Sequence, residues 1–248
     1  MKRYEVIIFD LFDTLINFNR ALLPEVNIDG SRLRSTSKAV YRVFQRFYKN
    51  VDFSYFYNVF MESYTDFNKR KLIEHREFHN RERFELMLSK MNLEPLPNSD
   101  EIVEDMVSVH MAYIAKAMEF PEENRKILGL IRNKNYRLAI ISNFDYAPAA
   151  YRLLDEFGIK EYFERILISV EIGWRKPKAD IFLKAFDLLR IKPEDAIFIG
   201  DSFEADVIGS KGVGMDAIWI NKNGEPLKEG NLKPDYIVSN FSEIKEII

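Results

Sequence analysis

The stretch Val6-Ile7-Ile8-Phe9-Asp10-Leu11-Phe12-Asp13-Thr14-Leu15 decides the reading of the fold. Four apolar residues run into an acid and then a short polar turn. A strand buried on both faces, delivering an ionisable side chain at its carboxyl end, has this form. Similar apolar runs predict strands at Arg137–Ile141, Arg165–Ile168, Ala196–Ile199 and Ala217–Ile220, with Tyr236–Val238 as an edge strand. Amphipathic helical patterns lie between them: Pro121–Asn133 with proline in the first turn, Ala147–Phe157 closed by Gly158, Ala179–Leu189, Glu204–Lys211, and a closing helix at Ser242–Ile247. Strands alternating with amphipathic helices predict an α/β fold, a Rossmann-like three-layer core with a parallel sheet.

Between the first strand and the helix at Pro121 the texture changes. From Ser31 to about Met118 glycine is absent and apolar residues recur at helical spacing. Val40, Phe44, Phe47 and Val51 form one such stripe; Phe56, Phe60, Tyr64 and Phe67 form a second; Ile102, Met106, Val109 and Tyr113 form a third. With a further helix at Glu82–Met91, this reads as about four helices inserted into the α/β core. The expected division is a catalytic core of residues 1–16 and 120–248 and an all-helical cap of residues 17–119.

Composition narrows the function. The 248 residues carry 36 Lys and Arg against 39 Asp and Glu, a net charge of −3, which excludes a nucleic-acid binder relying on overall positive charge. No uncharged apolar run is long enough to span a membrane. The apolar run of the N-terminal stretch is too short for a signal peptide, so a cytoplasmic location is expected. The absence of cysteine removes disulfides, thiolate metal sites and cysteine nucleophiles. Nothing in the sequence speaks to oligomeric state.

In open parallel sheets, ligands bind at the carboxyl ends of the strands. There the sequence puts Asp10 and Asp13, then Ser142, Asn143 and Asp145, then Glu171, Arg175 and Lys176, then Asp201, Ser202, Glu204 and Asp206. Each alone is an ordinary helix cap; together they set several carboxylates near one lysine. Carboxylates gathered at close range need a compensating cation. With His75, His79 and His110 all in the helical block, the ligands available are oxygens, which favour Mg²⁺. A cation beside a carboxylate, a hydroxyl and a lysine suits a small anionic substrate, with phosphoryl compounds foremost.

These residues resemble the haloacid dehalogenase (HAD) superfamily. Ile7–Leu15 is similar to its first motif, Ile141-Ser142-Asn143 to its second, Gly173-Trp174-Arg175-Lys176-Pro177 to the segment of its third, and Gly200-Asp201-Ser202-Phe203-Glu204-Ala205-Asp206 to its fourth. The order matches, and a helical insertion after the first motif resembles the family's C1-type cap. The resemblance implies Asp10 as nucleophile, Thr14 and Ser142 binding the transferred group with Asn143 supporting, and Lys176 as the neutralising cation. It implies Mg²⁺ on Asp10, the Phe12 carbonyl, Asp201 and Asp206. The phosphatase pattern has a second aspartate two positions after the nucleophile; Phe12 stands there, so the general acid is missing. Asp13, one residue on, is expected to point elsewhere. Metal-independent 2-haloacid dehalogenation is the alternative, with Arg34, Arg42 and Arg46 as the cap's candidate anion binders; a HAD fold kept for binding alone is another.

Two weaker patterns point to structure. His75 and His79 are spaced i, i+4, but lack a third ligand. Gly212-Val213-Gly214 loosely matches a dinucleotide loop but closes a helix and precedes a strand.

Overall fold

The computed structural model describes residues 4–248 except Asp29, Pro95, Lys228, Glu229 and Asn231. The chain divides into two compact units: Asn19–Met118, and the segments on either side of it.

The flanking segments build a six-stranded parallel sheet from β1 (Val6–Phe9), β2 (Arg137–Ser142), β3 (Arg165–Ile168), β4 (Ala196–Gly200), β5 (Asp216–Ile220) and β6 (Tyr236–Val238), in the order β3-β2-β1-β4-β5-β6. Val6, Ile7, Ile8 and Phe9 are all fully buried, because β1 is central and covered on both faces. Val6 and Ile8 join one apolar cluster with Phe182, Phe186 and Phe198. The Phe9 ring, on the opposite face, meets Phe163 at 6.3 Å and Phe241 at 6.0 Å. The strand order reverses between β1 and β4, so the crevice of this topology opens between their carboxyl ends.

The inserted unit contains α1 (Ser37–Phe44), α2 (Phe53–Glu74), α3 (Asn80–Lys90) and α4 (Ser99–Lys116). Phe44, Phe56 and Phe84 are fully buried among them. The Phe47–Val51 half of the first stripe lies beyond the end of α1, and Tyr64 faces solvent. The inward face of α4 carries Ile102, Val103, Met106, Val107, His110 and Met111. His110 is part of this core, its Nδ1 2.7 Å from the Thr36 hydroxyl. A hairpin of Glu25–Ile28 and Ser31–Arg34 precedes α1, where Ser31 onward reads as helical in sequence.

His75 ends α2 in a left-handed conformation and His79 caps α3, so the pair does not share a helix. Arg46 pairs with Asp105 at 3.2 Å, Arg34 reaches the Leu23 carbonyl and Glu25, and Arg42 is exposed.

Three further helices flank the sheet: α5 (Glu122–Asn133), α6 (Ala147–Glu156) and α7 (Ala179–Leu189). The helix predicted at Glu204–Lys211 is a π-helix over Phe203–Ile208 running into a turn at Gly209–Gly212. Gly214, at φ +86°, makes the turn into β5, so these glycines end a helix. The closing segment, Phe241–Glu246, is a 3₁₀ helix. Among the described residues no helix is long and apolar enough to cross a membrane.

Candidate active site

Asp10 follows β1 directly, and its backbone N–H donates to the Ile199 carbonyl at 2.9 Å, tying it to β4 at the crevice. The next residues turn back sharply: the N–H groups of Leu15 and Ile16 both donate to the Leu11 carbonyl. Asp13 takes the left-handed conformation at φ +59°, where a non-glycine residue is uncommon. Its carboxylate accepts from the Phe18 N–H at 3.0 Å and is exposed, as expected for a residue out of phase with Asp10. Phe12 is half-buried, with its ring centroid 4.6 Å from that of Phe144 at an interplanar angle of 47°.

Lys176 is drawn in from the loop after β3, 166 residues from Asp10 in sequence. Its ammonium donates to Asp10 Oδ1 at 2.6 Å and to the Ile141 carbonyl at 2.7 Å, and pairs ionically with Asp206 Oδ1 at 2.8 Å. Asn143 holds the lysine's backbone from both sides, its Oδ1 accepting from the Lys176 N–H at 2.8 Å and its Nδ2 donating to the Lys176 carbonyl at 3.0 Å. Asn143 thus positions the lysine's backbone.

Asp201 and Asp206 come from the segment after β4. Thr14 donates to Asp201 Oδ1 at 3.1 Å, and the Trp219 indole donates to the Asp201 carbonyl at 2.9 Å. Asp206 Oδ2 accepts from the Ser202 N–H at 2.9 Å. This approach requires Gly200, because a Cβ there would stand 2.2 Å from Asp206 Oδ2. The Ser142 hydroxyl, at the end of β2, is fully buried with no hydrogen-bond partner among the described residues.

Carboxylate oxygens of Asp10, Asp201 and Asp206 all lie within 4.8 Å of one another. Burial pushes the Asp10 carboxyl up to about 7, with Lys176 opposing and the Asp206 and Asp201 carboxylates adding. Burial and Asp206 likewise push Asp201 up to about 6, against the hydrogen bond from Thr14. Burial works against the Lys176 ammonium, but Asp10 and Asp206 outweigh it and its pKa is raised. One cation is therefore shared among three carboxylates. The crowding and the all-oxygen donor set fit a hard divalent ion.

Sequence reasoning passed over the groups that fix the first turn. Asn124 of α5 donates to the carbonyls of Thr14 and Leu15 at 3.3 and 2.9 Å, and Lys222 donates to the Asp13 carbonyl at 2.6 Å. A polar residue on the apolar face of α5 was the available signal for Asn124; Lys222 carries none.

A profile of the haloacid dehalogenase-like hydrolases matches residues 4–214. Glyceraldehyde 3-phosphate phosphatase of Pyrococcus furiosus is 27% identical over 250 residues, spanning all of this chain and 94% of that one. Human N-acylneuraminate-9-phosphatase is 31% identical over 133 residues, 53% of this chain and 52% of that one. Two crystal structures share the fold along nearly the whole length. A HAD phosphatase from Thermococcus onnurineus aligns at TM-score 0.65 and 21% identity, covering 98% of this chain and 97% of that one. A 2-haloacid dehalogenase from Pseudomonas syringae aligns at 0.67 and 20%, with the same coverage. The four sequence motifs, the strand order and the profile match agree: this chain is a hydrolase of the haloacid dehalogenase-like family.

Proposed function

We propose that the protein is a Mg²⁺-dependent phosphatase of small phosphorylated molecules, working through an aspartyl-phosphate on Asp10, with residues 17–119 as the cap that selects the substrate. The observation carrying this reading is the convergence of three carboxylates within 4.8 Å of one another, two of them paired with one buried lysine. A metal-independent dehalogenase needs no such set. Relatives named as phosphatases of glyceraldehyde 3-phosphate and of an N-acylneuraminate 9-phosphate support a phosphorylated substrate.

Asp10, the Phe12 carbonyl, Asp201 and Asp206 would hold Mg²⁺, Asp206 directly or through water. When bound, the ion supplies positive charge against the substrate's phosphoryl oxygens. The chain's own part follows from the contacts above. Lys176 holds Asp10 Oδ1 and leaves the other carboxylate oxygen to attack phosphorus. The Ser142 hydroxyl, without a partner among the described residues, is a donor for a phosphoryl oxygen; Thr14 would join it by releasing Asp201 Oδ1, and Asn143 keeps Lys176 in place.

Purified protein is expected to release phosphate from p-nitrophenyl phosphate with Mg²⁺ and not in EDTA. Halide release from a 2-haloacid in EDTA, with no phosphate release under either condition, would sink the reading.

Ser142→Ala tests the hydroxyl. Among the described residues it has no hydrogen-bond partner, so its loss should leave the melting temperature almost unchanged. A hydrogen bond to a charged group is worth about 1.5–3 kcal/mol, so kcat/KM should fall about 10- to 100-fold.

The carboxylate crowding makes a second expectation. Asp10 titrates near 4 in an unfolded chain and at about 7 here, so the folded state holds its proton more tightly. The associated stability is present at low pH and is lost as pH rises through about 7. Mg²⁺ should compensate for that loss, so melting curves should show a Mg²⁺-induced gain that grows from about pH 5 to about pH 8. A gain independent of pH would contradict the assignment of the ion to these carboxylates.

A further inference from the structure

We propose that this site acts on phosphates whose leaving group is stable as a free anion, aryl or acyl phosphates, with no protein acid protonating the departing oxygen; the inference rests on the phosphatase reading above.

The donors and carboxylates around Asp10 are already committed to one another. Lys176, the strong donor at Asp10, gives hydrogen bonds to Asp10 Oδ1 and the Ile141 carbonyl, is held in an ion pair with Asp206 Oδ1 at 2.8 Å, and is 2% exposed. Asp206 Oδ2 accepts from the Ser202 N–H while its Oδ1 faces the Lys176 ammonium in an ion pair, and Asp201 Oδ1 accepts from Thr14. Asp13 is turned out onto the Phe18 N–H. Glu171, beyond β3, accepts from the Tyr151 hydroxyl at 2.7 Å. The side chain two positions after the nucleophile is Phe12, whose ring packs against Phe144. Two residues beyond Asp10 the chain thus offers an aromatic ring, packed on a second one, and no proton donor. Such a surface stabilises an aryl group by contact and offers an alkoxide nothing.

The chemistry balances without an acid. The free oxygen of Asp10 bonds to phosphorus as the bond from phosphorus to the leaving oxygen breaks, and that electron pair departs on an aryloxide or carboxylate. Water then attacks phosphorus, the bond to Asp10 breaks, and the carboxylate returns as inorganic phosphate and one proton pass to solvent. An alkyl phosphate, glyceraldehyde 3-phosphate included, would have to expel a strongly basic alkoxide.

The test is a series of substituted aryl phosphates of rising phenol pKa, together with an alkyl phosphate, assayed with Mg²⁺. Wild-type kcat/KM should fall steeply along the series, and alkyl phosphates should be turned over at least about 10²-fold more slowly than p-nitrophenyl phosphate. Phe12→Asp should raise the alkyl-to-aryl rate ratio by about 10²- to 10⁴-fold, the worth of a general acid. The wild-type series needs no variant, so a misfolded Phe12→Asp protein would leave the test intact. A shallow series, with alkyl and aryl phosphates turned over alike, would overturn the proposal while leaving the phosphatase reading standing. If Asp145→Asn then made that series steep, Asp145 would be the acid. Turnover of no phosphate at all would overturn the reading beneath, and this proposal with it.

Discussion

Lys176→Met is expected to destabilise the metal-free protein by about 3–5 kcal/mol, because it leaves two buried carboxylates without their cation. Lys176 and Asp206 are 2% and 1% exposed and Asp10 is 8% exposed, so water cannot take over the lysine's contacts. For a chain of this size the loss should lower the melting temperature by roughly 6–20 °C. The Ile141 carbonyl would lose its side-chain donor as well. Methionine is close to the lysine stem in length and removes the ammonium, which stands 4.8 Å from the Phe198 ring centroid, so the change is chiefly one of charge. Mg²⁺ should recover part of the lost stability, since it supplies positive charge to the same carboxylates. Calorimetry with and without Mg²⁺ measures both. A melting temperature within about 2 °C of wild type in EDTA would mean that the carboxylates are held neutral and the ion pairs carry little.

Asp10→Asn is expected to abolish turnover, by about 10⁴-fold or more, because an amide cannot serve as the nucleophile. Its effect on stability should run the other way. The substitution removes one of three crowded carboxylates, and the one burial disfavours strongly. Lys176 keeps Asp206 and the Ile141 carbonyl. In EDTA at about pH 8 the variant should therefore melt at or above the wild-type temperature. A protein dead and folded separates a chemical role for Asp10 from a structural one. Residual phosphatase activity near the wild-type level would remove Asp10 from the reaction.

Much of the core was legible in the sequence. The β1 run Val6–Phe9 reads as buried on both faces because it is, and Arg165–Ile168 and Tyr236–Val238 lie where their composition put them. Chain order put Asp10, Ser142, Lys176 and Asp201 at strand ends, and parallel pairing brought them to one edge. What could not be read was side-chain direction. Asn143 stands in a substrate-binding motif, yet its amide clamps the Lys176 backbone. Nor does spacing disclose that Asp206 approaches Gly200 so closely, which accompanies the π-helical turn after β4. In the inserted unit, the strand Ser31–Arg34 is exposed along its length and offers no apolar alternation. The Asp29-Gly30 pair before it, with Gly30 at φ +81°, was the turn signal available. His75 and His79 looked like one helical face because spacing alone does not report where α2 stops.

The central claim is that Asp10 carries the phosphoryl group during turnover. Its most direct test is to mix the protein with Mg²⁺ and an acyl phosphate, quench in acid within the first turnovers, and map peptides by mass spectrometry. The account predicts a phosphoryl-mass addition on the peptide containing Asp10, labile to hydroxylamine and lost in Asp10→Asn. Phosphate release at the wild-type rate with no labelled peptide, or a label on any other residue, would contradict it.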